Sequence, residues 1–167
     1  MREILFRGKS NWTYGSVKEG DWLYSMTIAP HCYSDNKITS YYIGGGNNSI
    51  DAKTLGQYTG LTDKNGNKVF EGDIVVIDHT IRTYSWDEIP ETYKPRRSHS
   101  VGWNDIHGEL IYKRNYAVEW KEKDARWILR NGSDQHDLRE IFLHFHNGVV
   151  VGNIHDNPEL LKGGDAK

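Results

Sequence analysis

Ile50-Asp51-Ala52-Lys53-Thr54-Leu55-Gly56-Gln57-Tyr58-Thr59-Gly60-Leu61-Thr62-Asp63-Lys64-Asn65-Gly66-Asn67-Lys68-Val69-Phe70-Glu71-Gly72-Asp73-Ile74-Val75-Val76-Ile77 is the stretch whose blocks decide the fold. Asp51 is placed to cap a short helix whose third position is Thr54. Asp63 to Gly66 carries the residue types of a tight turn. The apolar run Ile74 to Ile77 then follows an acidic Glu71-Gly72-Asp73 entry, as a buried strand does. All three blocks shape backbone.

Working outward, residues 1 to 49 read as strands and hairpins: Ile4 to Arg7, Trp12 to Val17, a Glu19-Gly20-Asp21 turn, Trp22 to Ile28, and Lys37 to Ile43. The near-alternation of Trp22, Tyr24 and Met26 predicts one buried face. Gly44-Gly45-Gly46-Asn47-Asn48-Ser49 then breaks the pattern and marks a boundary. Residues 50–68 form a helix-turn connector. From residue 69 to 162 come further strands, Val69 to Ile77, Tyr116 to Lys121, Arg126 to Arg130, Glu140 to His146 and Val149 to Ile154. Turns at Lys123-Asp124-Ala125 and Asn147-Gly148 link them, the second being a strong hairpin signal. The polar stretch from about 78 to 115 reads as a variable insert, with only Gly102-Trp103 and Glu109 to Tyr112 ordered by themselves. Pro158 opens a terminal helix that Gly163-Gly164 ends, and 163–167 is a tail.

The 50–77 stretch resembles the core of the YopX family of phage and prophage proteins. The ending Val149-Val150-Val151-Gly152-Asn153-Ile154-His155-Asp156-Asn157-Pro158-Glu159-Leu160-Leu161 is similar to that family's terminal motif, and Phe6-Arg7-Gly8-Lys9 with Trp12-Thr13-Tyr14-Gly15 to its start. These strands and turns describe a mainly β (α+β) chain, an N-terminal β-hairpin unit with a short helix followed by a small C-terminal barrel. Glu71-Gly72-Asp73-Ile74-Val75, the insert and the hairpin around Trp120 and Trp127 look like an SH3-like barrel, a reading the resemblance supports, and the resemblance implies a role during infection or lysogeny. Trp12, Gly15, Thr54, Gln57, Gly60, Asp63, Gly66, Gly72, Asp73, Gly152, Asn153, Pro158 and Leu160 match its motifs. Most are turn, cap or packing types. Gln57, Tyr58, Thr59 and Asn153 stand out as candidate binding residues, because an amide or hydroxyl there has no evident folding reason.

Composition agrees with a β-rich chain: 167 residues carry 17 glycines, ten tyrosines, six tryptophans and only four prolines. Some of these rings are expected to line a groove or subunit contact rather than fill a core. A net charge of −2 provides no global attraction to nucleic acid or anionic membrane, so any such contact is local. The single cysteine, Cys32, permits no internal disulfide or cysteine-rich zinc site and suits a reducing cytosol. With no signal-like or membrane-spanning apolar run, a cytoplasmic protein of the bacterial host cell is expected.

Five constellations bear on chemistry. Lys53-Thr54 after a glycine-rich run invites a phosphate loop, but Asn47 and Ala52 occupy the positions that need glycine and Asp51 would repel a triphosphate. His144, His146 and His155 are candidate metal ligands if the first two share a strand face and the third lies on the next strand. The competing reading is a solvated face over a buried Phe145. Glu71 and Asp73 share a face of an extended segment, where Asp73 serves the turn better than it serves acid-base work. His31 and Cys32 are adjacent and point to opposite sides, which disfavours a dyad. Lys94, Arg96 and Arg97 with Tyr93 and Trp103 combine charge for phosphates with rings for bases. The expectation is therefore a non-catalytic phage or prophage accessory protein without cofactor that binds a host protein or small ligand and assembles with itself. A nucleic-acid-binding barrel is the alternative, and a metal-dependent enzyme the third reading.

Overall fold

The computed structural model describes residues 3–32, 37–45, 48–83, 108–144 and 148–162. The chain is mainly β, with every strand pair antiparallel. Strands β1 (Phe6–Lys9), β2 (Trp22–Ser25), β6 (Gly56–Thr62) and β7 (Lys68–Phe70) form one sheet in the order β2-β1-β6-β7. Strands β3 (Ile28–Cys32), β4 (Ile38–Ile43) and β5 (Ser49–Asp51) form a second, in chain order. A five-stranded sheet runs β11-β10-β9-β8-β12, built from β8 (Asp73–Thr83), β9 (Gly108–Lys121), β10 (Arg126–Asn131), β11 (Asp134–Asp137) and β12 (Val149–Asn153). Its edges are β11 and β12, which do not pair with each other among the described residues, so the expected SH3-like barrel is not seen as a closed ring.

Alternation places the core. Val75 and Ile77 of β8, Tyr116 and Val118 of β9, and Trp127 and Leu129 of β10 meet on one face, joined by Val69, Leu138, Ile141 and Phe142. The local signals of the 50–77 stretch hold. Asp51 accepts from the Lys53 amide and caps a 3-10 turn, Ala52–Thr54. Gly66 donates to the Asp63 carbonyl at a φ of +85°, a backbone angle glycine adopts without strain. Strands β4 and β5, on either side of residues 44–48, pair with each other. Hydrogen bonds also span this segment elsewhere, from Phe6 and Arg7 of β1 to Gln57 and Gly56 of β6.

Four expectations change. Glu140 to His144, the described part of the expected Glu140 to His146 strand, is no strand: Asp137 Oδ1 accepts the amides of Arg139 (2.9 Å) and Glu140 (3.2 Å), and a π-helical turn, Glu140–His144, follows. Leu138, Ile141 and Phe142 then fall on one helical side and enter the core. Strand β12 pairs with β8, and the expected Asn147-Gly148 hairpin falls partly outside the described residues. Trp22 to Ile28 divides into β2 and β3 at a bend where the Thr27 amide donates to Ser25 Oγ, and Tyr24 and Met26 are exposed. Trp12 to Val17 is a tight turn, with Tyr14 and Val17 exchanging backbone hydrogen bonds. Finally, the start and end of the insert are regular: β8 and β9 stay paired out to Thr83 and Gly108.

Candidate functional site

Beside the C-terminal sheet, strands β1, β2 and β7 carry a buried guanidinium. Arg7 Nη2 donates to Asp73 Oδ1 at 2.5 Å, and the Arg7 and Asp73 side chains are 9% and 2% exposed. The Arg7 Cζ atom lies 4.6 Å from the Trp22 ring centroid and 4.7 Å from that of Phe70, so cation-π contact adds to the ion pair. Asp73 Oδ2 accepts the Phe70 amide at 2.7 Å. Burial pushes the Asp73 carboxyl up, against the Arg7 charge and the Phe70 amide. Among the described residues Arg7 Nε has no hydrogen-bond partner. The Gly72 backbone turns at a φ of +80° between β7 and β8, which lets Asp73 reach back to the amide of Phe70.

Trp22 joins this pair to a second network. Its Nε1 donates to Asp156 Oδ2 at 2.9 Å, and its ring lies 6.0 Å from that of His155. Lys9, one alternation from Arg7 on β1, bonds Asp156 Oδ1. Asn153 Nδ2 donates to Asp156 Oδ2, while Asn153 Oδ1 accepts the His155 and Asp156 amides. The hydrogen bond from Lys9, then those from Asn153 and Trp22, hold the Asp156 carboxyl down to about 2 against partial burial. Burial and the charges of Arg7 and Lys9 lower His155, which favours its neutral form.

Next to the Arg7 pair opens a cavity of about 360 Å³. Leu5, Arg7, Tyr24, Lys68, Phe70 and Val150 line it together with Asn67 and Asp73. Tyr24 meets Phe70 edge-on at 5.7 Å. Lys68 bonds Glu3 at the surface and stands 5.1 Å from the Tyr58 ring centroid. The neighbouring Asp63 is fully used. It accepts from the amides of Asn65, Asn67 and Val150 and from Asn67 Nδ2, and these bonds draw its carboxyl down despite burial.

Three of the four candidate binding residues have side chains with folding work. Tyr58 is buried against Phe70. Thr59 Oγ1 donates to the Val69 carbonyl at 2.8 Å and accepts the Leu61 amide. Asn153 closes the turn at Asp156, and Gln57 pairs with Phe6 and accepts the Glu71 amide through its backbone. Tyr93, Lys94, Arg96, Arg97 and Trp103 lie outside the described residues, as does His146. His155 sits in the turn after β12 and not on a strand, and His144 belongs to the π-helical turn, so the strand geometry expected for a metal set does not arise. Among the described residues no three metal-ligating side chains converge. Thr54 Oγ1 donates to the Asp51 carbonyl and accepts the Lys9 amide, a cap rather than a phosphate cradle. His31 Nδ1 lies 3.2 Å from Ser40 Oγ.

Sequence reasoning missed the Arg7, Trp22, Tyr24, Lys68 and Phe70 group. The available signal was Phe6-Arg7-Gly8-Lys9, where two cations two residues apart share one face of a strand. Among the described residues no helix is long and apolar enough to cross a membrane.

The family model described as YopX protein matches residues 10–162. Among solved structures the chain is similar to the crystal structure of protein EF1440 from Enterococcus faecalis, at 20% identity over 95% of this chain and 97% of that one, with a TM-score of 0.46. No curated protein matches the sequence.

Proposed function

The chain belongs to the YopX family, and from that premise we propose that it is a non-catalytic phage or prophage accessory protein that acts by binding a host protein or a small ligand. Counter-defence or host takeover is the setting that fits a phage-type protein. One observation supports the reading above the others: charged groups are tied to each other directly beside an open, ring-lined cleft. Arg7 with Asp73 and Lys9 with Asp156 are ion pairs that hold strands together, while Tyr24 stays exposed at the mouth. These hydrogen-bonded ion pairs, buried at Arg7 and Asp73 and part-exposed at Lys9 and Asp156, specify geometry. Self-association through exposed rings such as Trp12 and Tyr14, stacked 5.5 Å apart, belongs to the same reading.

The test is recovery of tagged full-length chain from infected cells, followed by native mass spectrometry and light scattering. A stoichiometric host protein or retained small molecule is expected. A bare monomer from infected cells, or turnover of a substrate by purified chain, would remove the reading.

A further inference from the structure

We propose that the cleft lined by Tyr24, Phe70 and Lys68 binds a small planar aromatic molecule carrying one negative charge, with its rings against the exposed Tyr24 and its anion on Lys68. This rests on the binding-protein reading and specifies its ligand class.

Size, shape and charge availability all contribute. A cavity of about 360 Å³ falls within the range of small-molecule sites, which combine apolar walls with a few polar groups. Here Leu5 and Val150 are aliphatic, and Tyr24 and Phe70 meet edge-on, leaving an exposed Tyr24 ring to take a second ring system. The two cations lining the cleft differ in what they can give up. Arg7 is buried, paired with Asp73 and enclosed by Trp22 and Phe70, so its charge is already spent. Lys68 is 39% exposed and pairs with Glu3, itself 49% exposed. Such a surface pair contributes little and exchanges readily for another anion. The carboxylate that lines the cleft, Asp73, is 2% exposed and bonded to Arg7 and Phe70, so a cationic ligand finds no free partner there. What remains on offer is the exposed Tyr24 ring, the Lys68 cation and the exposed Asn67, whose Nδ2 is already donated to Asp63.

The probe pair is 2-naphthoate and its uncharged counterpart 2-naphthamide, titrated into the full chain by calorimetry. Saturable one-to-one binding of 2-naphthoate is expected, with 2-naphthamide weaker by about fivefold, the size of one partly exposed charge contact. Lys68→Gln should abolish that difference without weakening 2-naphthamide. Tyr24→Ser should weaken both by about tenfold, the scale of one aromatic contact. Glu3→Gln should tighten 2-naphthoate alone, by removing its competitor. Near-UV circular dichroism confirms that each variant is folded, and Glu3→Gln, at a surface position, keeps the test alive if Tyr24→Ser unfolds. Absence of saturable binding, equal affinity for the two probes, or indifference to Lys68→Gln overturns the proposal. Any of these alongside a partner captured from infected cells removes this site and leaves the binding reading intact.

Discussion

Arg7 Nη2 donates to Asp73 Oδ1 at 2.5 Å, fastening the start of β8 to the middle of β1 through a pair in which neither side chain is more than 9% exposed. Both charges have lost water, so each depends on the other.

Removing one partner strands the other. Asp73→Asn should cost about 3–5 kcal/mol in urea unfolding, because the Arg7 cation is left buried without compensation. Arg7→Met should cost a comparable amount. The double variant should be destabilised by far less than the sum, with a coupling of about 1 kcal/mol or more. Additive losses would mean the pair is not the fastener described here.

Gly56 lies against the same junction. A Cβ there would sit 2.6 Å from the carbonyl oxygen of Glu71, a backbone atom that cannot rotate away. Gly56→Ala should therefore destabilise by about 1–3 kcal/mol, as overpacking does. Gly66→Ala has open space around its added Cβ and should lose stability only through its positive φ. Thermal melts of the two variants separate clash from backbone strain.

The Asp156 carboxyl, held at about 2 by Lys9, Asn153 and Trp22, is depressed below its ordinary 3.8. A depressed acid stabilises the fold above its unfolded value, and that contribution fades as pH falls from about 4 to about 2. With the side chain 36% exposed, screening reduces the contribution to roughly 1 kcal/mol. Asp156→Asn should lose that amount at pH 7 and flatten the stability curve between pH 4 and 2.

Glu71 has the opposite sign. Burial first, and then the nearby Glu119 charge, raise its carboxyl above 4.5 against the Gln57 amide. The folded state therefore holds this proton more tightly than the unfolded chain, and stability falls as pH rises from about 4.5 through the raised value. Glu71→Gln should be more stable than the parent at pH 7 and no more stable at pH 4. A variant less stable at both pH values would contradict this.

Local physics was legible in the chain; distant pairing was not. Asp51 capping at Lys53 and the Asp63 to Gly66 turn close within four residues, so residue types alone reveal them. The helical turn after Asp137 was also within reach. Asp137 and Glu140 stand three apart, the spacing of a helix cap and its reciprocal acid, but the β-branched and aromatic Ile141-Phe142 suggested a strand. Met26 and Tyr24 followed a strand alternation that Ser25 and Thr27 interrupt. The cleft was illegible for another reason. Arg7 meets Asp73 across 66 positions, and Lys9 meets Asp156 across 147, separations at which periodicity carries no information.

Ten consecutive residue pairs run along β8 and β9, from Ile74 with Ala117 to Thr83 with Gly108. This ladder works as a socket. It delivers the two ends of residues 84–107 at neighbouring-strand separation whatever joins them, and loop-closure entropy rises only as the logarithm of length. Exchange of that segment for one of different length or composition should leave the ion pairs around Trp22 intact, so the chain can be re-tipped without being refolded.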